Sequence, residues 1–351
     1  MLEKETYDMK KKPLLPARNK RERILVIRAG AIGDLILTLP ALRALRRRFP
    51  GAYLEVMGHP HSLALVAGQG EIDAVSSISR REMAHLYVPN GPIPEALERT
   101  FGAFDLIVAY VAETEGTLIE NLRRTGARQV ISWPPFPFRC MHEADHLLEA
   151  LRPVGIASSE NVPELLPTPL DRAFATRFWS THNIRPSQAV LALHPGSGSP
   201  SKCWPPERFA RIADWAIESL SAAVLLIAGP ADEEARHQTL CRMKGTPVLA
   251  SDLSLPRLGA LLERCTAFLG NDSGITHLAA AVGAPTVALF GPTDARIWGP
   301  RGEHVKILHH ETPCSPCDDL HRKQCRHRIC MERIAISEVK KALLFLMNTQ
   351  A

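Results

Sequence analysis

Arg23-Ile24-Leu25-Val26-Ile27-Arg28 is apolar at every internal position, so a strand formed there has no face that tolerates water and must be covered on both sides. A loop with Gly30 and Gly33 follows, and then Leu35, Ile36, Leu39, Leu42 and Leu45 recur at helical spacing until Pro50-Gly51. The same strand, turn and helix recur down the chain. Strands are expected at 53–57, 105–109 and 129–133, with helices near 62–67 and 116–124. This alternation specifies an α/β fold with a parallel sheet and helices on both faces.

Between residues 153 and 169 the chain is rich in proline and weakly periodic, with Pro163, Pro167 and Pro169, which marks a linker. A second series then begins. Its strands are expected at 189–193, 223–228, 267–270 and 286–290, and its helices at 207–220, 232–243, 255–264 and 273–282. A last amphipathic helix at 337–347 is expected to pack back on the N-terminal half. The expected divisions are a flexible basic tail (1–22), two Rossmann-like units (23–160 and 161–335) and the final helix (336–351). Ligands of open parallel sheets bind beyond the carboxyl ends of the strands, so the cleft between the two units is the expected site.

The chain has 351 residues, 42 Lys or Arg and 37 Asp or Glu, a net charge of +5. Thirteen of those bases and only five of the acids fall within the first 50 residues, a bias that suits an anionic partner such as a membrane surface or a phosphorylated glycolipid. For residues 1–22 a solvated tail accounts for the charge equally well. Aromatic residues make up 6%, too few for the stacking platforms of a nucleic-acid binder. The charged first 23 residues predict no signal peptide, and no apolar run reaches the length of a membrane span. The expected compartment is therefore the cytoplasm, where a disulfide framework is not expected for the eight cysteines.

Three strand-to-helix turns carry the chemistry. In Arg28-Ala-Gly-Ala-Ile-Gly-Asp34, two glycines permit a tight turn, and Asp34 stands at the helix start either as a cap or as a base facing the cleft. The third glycine of a dinucleotide fingerprint is missing, which argues against a nucleotide-dependent oxidoreductase. The second turn, His194-Pro-Gly-Ser-Gly-Ser-Pro-Ser-Lys202, places hydroxyls, including Ser199, and the Lys202 ammonium where a diphosphate could sit. The third, Gly270-Asn-Asp-Ser-Gly-Ile-Thr-His277, puts the amides of Ser273 and Gly274 at a helix N-terminus, with Asp272 able to accept bonds from sugar hydroxyls. Helix capping by Asp272 or Ser273 and simple packing of His277 are the plainer alternatives.

Taken together, Ile32 to Leu45, His194-Pro-Gly, Lys202-Cys-Trp-Pro, Asn271 to Leu278 and Ala284 to Thr293 resemble glycosyltransferase family 9, the ADP-heptose lipopolysaccharide heptosyltransferases. The resemblance implies a GT-B fold, with 23–160 as the acceptor domain and 161–335 as the nucleotide-sugar domain. It also implies inverting transfer of heptose from ADP-heptose to a lipopolysaccharide core or related anionic glycolipid, at the inner membrane surface. Asp34 matches the family's general base, and Gly30 and Gly33 its acceptor loop. Lys202 matches the phosphate-binding lysine, and Asp272, Ser273, Gly274 and His277 match the donor motif. Glu233 falls near the ribose-contacting acid, with Asp232 and Glu234 beside it. Ile275 stands where many members have proline.

No catalytic cofactor is expected, since an inverting transfer needs a base and a stabilised leaving diphosphate, and no Asp-x-Asp metal motif occurs. Another nucleotide sugar or a protein acceptor is the alternative reading, and a non-catalytic anionic-lipid-binding protein a more distant one. Cys314, Cys317, Cys325 and Cys330 read C-x2-C-x7-C-x4-C, a set that could close a structural Zn or Fe site remote from the transferred sugar. Reduced thiols are the alternative.

Overall fold

The structure, a computed structural model, describes residues 21–113, 115–137, 140–229 and 232–349. The expected basic tail lies, as far as residue 20, outside them. Strands β1 (Arg23–Arg28), β2 (Tyr53–Gly58), β3 (Ala74–Ser77), β4 (Leu106–Tyr110) and β5 (Val130–Trp133) form a parallel sheet in the order β3-β2-β1-β4-β5. Central β1 pairs Leu25 with Glu55 on one side and Ile107 on the other. It is covered on both faces as its composition requires, Ile24 and Val26 packing into one apolar cluster and Leu25 and Ile27 into another. Helices α1 (Ile32–Arg48), α2 (Pro60–Leu63), α3 (Glu95–Phe101), α4 (Thr117–Arg124) and α5 (Glu143–Glu149) belong to this half.

An extended segment leads to α6 (Pro169–Thr181), which starts at Pro169 behind the Thr168 cap. The second sheet contains β6 (Val190–His194), β7 (Ala223–Ala228), β8 (Val248–Ser251), β9 (Ala267–Asn271), β10 (Thr286–Phe290) and β11 (Val305–His309), all parallel, in the order β11-β10-β9-β6-β7-β8. Its helices are α7 (Pro206–Leu220), α8 (Glu233–Leu240), α9 (Leu255–Glu263), α10 (Gly274–Ala281), α11 (Ala295–Trp298), α12 (Asp319–Gln324), α13 (Ile329–Glu332) and α14 (Ile336–Thr349). Both halves are therefore parallel α/β sandwiches of the GT-B kind. Strands β3, β8 and β11, absent from the sequence expectation, are all sheet edges. With one neighbour each they need no continuous apolar run, and β11 carries Lys306 and His309.

The final helix departs from expectation. Val339, Leu343 and Leu346 of α14 pack with Leu191, Leu269 and Leu289 of the second sheet and with Phe209 and Ile212 of α7, so α14 covers its own sheet rather than the N-terminal half. The face that α7 leaves uncovered is apolar and adjacent, which makes it the favourable place for an amphipathic helix to land.

The halves meet where α1 and α10 begin. A methyl group on Gly274 would lie 2.7 Å from Ile32 Cβ and 3.1 Å from the Gly33 nitrogen, so only glycine permits this approach. Behind the contact a single apolar cluster runs through both halves, joining Leu35 and Leu39 to Leu278 and Phe268. No helix among the described residues is long and apolar enough to cross a membrane.

Candidate active site

In each sheet the strand order reverses beside its first strand, between β1 and β4 and between β6 and β9. The crevices at these two points open toward each other. They share a cleft of about 760 Å³ lined by Gly33, Asp34 and Leu37 from α1, Ser197, Gly198 and Lys202 from the loop after β6, and Asp272, Ser273, Gly274 and His277 around the start of α10. Phe136, Thr293, Asp294, Trp298, Cys317 and Arg322 complete the wall.

Asp34 is not the helix cap. Ala31 occupies that position, and Asp34, in the first turn, reaches back so that its Oδ2 accepts the Ala31 N–H at 2.7 Å. Its Oδ1 accepts from Arg28 Nη2 at 3.3 Å. A side chain on Gly30 would lie 2.5 Å from Asp34 Cβ, so this glycine leaves room for the carboxylate to fold over the turn. About a quarter (27%) of the Asp34 side chain stays exposed toward the cleft.

On the opposite wall Lys202 Nζ lies 2.7 Å from Asp272 Oδ2, which also accepts the Thr293 hydroxyl at 2.5 Å. Ser273 is the α10 cap, its Oγ accepting the Thr276 N–H. The first amides of the helix, at Gly274 and Ile275, have no intrahelical partner and carry the positive end of its dipole. Two buried polar groups fix these loops. Asn271 Oδ1 accepts the Trp204 N–H at 2.9 Å while its Nδ2 donates to Pro195 and Gly196 carbonyls. His194 Nε2 donates to Asp232 Oδ2 at 3.1 Å, which leaves Nδ1 to accept from Ser273 Oγ at 3.2 Å. Burial works to raise the Asp232 carboxyl, but the His194 and Gly229 bonds outweigh it and hold it below the ordinary range. Burial lowers His277 against the pull of Asp272 and Asp34, so its ring stays neutral at physiological pH and bonds the Trp298 backbone.

Asp34, Gly33, Lys202, Asp272, Ser273, Gly274 and His277 are thus brought to one cleft, with Gly30 in the turn beneath Asp34. Ser199 and Glu233 are not among its lining residues. The Ser199 hydroxyl pairs with Ser201, and Glu233 with Arg236 on the outer side of α8. It is the neighbouring Asp232 that turns inward.

The cysteine segment is not remote as expected, for Cys317 lines the cleft, tied there by its N–H to the Pro292 carbonyl at 2.7 Å. Burial raises the Cys317 and Cys330 thiols, and the fields of Cys314 and Cys325 add to it. The four sulfurs therefore sense one another, yet no three metal-binding side chains among the described residues are arranged to hold an ion. Sequence reading missed Phe136 and Trp298, whose rings meet edge to face at 6.0 Å. Phe136 is an exposed loop residue and Trp298 ends the one-turn helix α11, and neither leaves a periodic signal.

The family model of glycosyltransferase family 9 (heptosyltransferase) matches residues 146–327. The chain belongs to glycosyltransferase family 9. It is accordingly a glycosyltransferase, and its relatives extend the match to the N-terminal half. It is 26% identical over 300 residues to lipopolysaccharide heptosyltransferase 3 of Escherichia coli K12, covering 78% of this chain and 83% of that one. Among solved structures it resembles a family 9 glycosyl transferase from Veillonella parvula, with TM-score 0.80, 22% identity and coverage of 95% of this chain and 100% of that one. It also resembles an Escherichia coli heptosyltransferase solved with ADP-2-deoxy-2-fluoro heptose, with TM-score 0.63, 16% identity and coverage of 92% and 99%.

The Lys202–Asp272 pair gives a test of where an anion binds in this glycosyltransferase. Lys202→Ala is expected to weaken ADP binding about 10-fold at low salt, through the lost charge-assisted bond and the Asp272 charge left uncompensated. Adding Asp272→Asn should recover part of that loss. Calorimetric titration with ADP checks both, and equal affinity of Lys202→Ala and wild type would place the diphosphate elsewhere.

Proposed function

We propose that this enzyme transfers heptose from ADP-heptose, with inversion, to a hydroxyl of a lipopolysaccharide core or related anionic glycan. One observation carries the reading: a carboxylate, Asp34, stands on one wall of the cleft, and a cationic anchor, Lys202 with the α10 N-terminus, stands on the other. The acceptor hydroxyl attacks the anomeric carbon from the Asp34 side. Its proton passes to the carboxylate as the new C–O bond forms. The bond from the anomeric carbon to the β-phosphate oxygen breaks on the far side, and the electron pair leaves with ADP. Lys202 and the Gly274 amide bear the charge that builds there, and the chemistry described needs no metal. The turn that holds Gly30 and Gly33 carries Asp34 and forms the acceptor side of the cleft. The heptosyl donor is supported by the relatives' names and the ADP-sugar held by one structural neighbour.

The same reading places the enzyme in the cytoplasm, peripheral to the inner membrane face where such an acceptor is built. Support comes from the basic first 50 residues. It extends to the cysteine segment as well. The C-x2-C spacing of Cys314 and Cys317, with Cys325 and Cys330 following, supports a structural Zn or Fe bound after the side chains rotate toward one another.

Two measurements test the catalytic reading. With delipidated core glycan present, ADP-heptose should release its nucleotide while UDP- and GDP-sugars do not; turnover of a UDP-sugar alone would defeat the donor assignment. Asp34→Asn should lower kcat by about 10²-fold with ADP affinity unchanged, because a base acts in the transition state. For the cysteine segment, metal analysis of fresh protein should find about one Zn or Fe per chain. Metal-free protein with four freely titrating thiols would end that proposal.

A further inference from the structure

Glu143 opens α5 and is completely buried (0% exposed), yet the transfer chemistry above makes no use of it. Its Oε1 accepts from Arg28 Nη2 at 3.0 Å, the same nitrogen that donates to Asp34 Oδ1 at 3.3 Å. Its Oε2 has no hydrogen-bond partner. Arg28, at the end of β1, is itself 3% exposed. A buried carboxylate that loses a bond to solvent and leaves one oxygen unpaired is expensive to keep, so a purely structural role is a poor explanation for an acid at this position. What the geometry does is divide one guanidinium between two carboxylates, only one of which faces the cleft.

We propose that Glu143 is a positioning residue for sugar transfer, holding Arg28 so that the guanidinium orients Asp34 without neutralising it as proton acceptor. This rests on the reading of Asp34 as the base. Were Glu143 uncharged, the whole field of Arg28 would fall on Asp34, tightening that pair and making the carboxylate a poorer proton acceptor. Burial pushes the Glu143 carboxyl up to about 8, against the pull of Arg28 and with the Asp34 charge adding to the rise. Its negative charge therefore grows through the mildly alkaline range, and the share of Arg28 left to Asp34 shrinks with it. Other titratable groups face this cluster. Tyr110 on β4 donates its hydroxyl to the Leu147 carbonyl at 2.8 Å and is pushed up by burial, and His146 on α5 is pushed down by burial. His277 on α10 also faces Asp34 and is likewise pushed down by burial. All three stay neutral over the same range, so the charges of Arg28 and Glu143 set the pH-dependent field on Asp34.

The test uses Glu143→Gln, which keeps shape and an acceptor but removes the charge. ADP release is measured with ADP-heptose and delipidated core glycan across the pH range, with ADP affinity measured alongside. Near pH 6 the variant should match wild type within about twofold, and near pH 9 its kcat should fall about 10-fold with ADP affinity unchanged. In an Asp34→Asn background the substitution should have no further effect, since both act through one group. Wild-type kcat at every pH overturns the proposal, as does a loss matched by loss of ADP affinity. If Asp34→Asn itself keeps full kcat, the base reading fails instead. Should Glu143→Gln not fold, Glu143→Asp carries the same readout: one methylene shorter, it withdraws from Arg28 and should lose kcat but not ADP binding, and unchanged kcat there overturns the proposal.

Discussion

The width of the catalytic cleft is set by a backbone contact, the start of α10 resting on the start of α1 with Gly274 against Ile32. Each of these helices brings one half of the proposed chemistry to the cleft, Asp34 on α1 and the free amides at the start of α10. Because Gly274 has no side chain to intervene, the separation between the starts of the two helices is fixed at close packing against Ile32 and Gly33. The apolar cluster that runs behind the contact holds it, joining Leu35 and Leu39 to Leu278 and Phe268. Packed interiors deform little, so a change there would be felt as a change in the distance a proton and a phosphate must span.

Buried polar groups then fix the loops that this contact leaves free. Asn271 uses three bonds to clasp the turn after β6 and the start of the Trp204 segment, and His194 links Ser273 to Asp232. Each group is nearly or fully enclosed, which makes its satisfied bonds stronger and the loss of any one more harmful. The proposed anion site is therefore held in shape by side chains, Asn271, His194 and Asp232, that do not line the cleft.

Much of this was legible in the sequence where local chemistry decides the outcome. The central strands read as apolar runs because both faces are buried, and the three strand-end turns read as sites because parallel sheets present ligands there. Edge strands β3, β8 and β11 were not legible, since one-sided pairing relaxes the pattern. Asp232 and Glu233 differ by one residue at the start of α8, and which of them faces inward depends on the rotation of that turn against His194, 38 residues earlier. Spacing within a motif says nothing about where a segment returns in space, so Cys317 was expected far from the cleft and α14 on the wrong sheet. Arg28 read only as the polar end of a strand, because its partner Glu143 is 115 positions away.

The pairing of Lys202 with Asp272 also bears on how a turnover ends. An ammonium facing an empty cleft would hold any polyanion tightly, the spent nucleotide included. Asp272, already 2.7 Å away and braced by Thr293, is an internal rival for that ammonium. A diphosphate leaving Lys202 would be replaced there by a carboxylate already in place. If Lys202 is the diphosphate anchor proposed above, the ion pair lowers the affinity of the resting site for its own product, trading some grip on the donor for faster clearance.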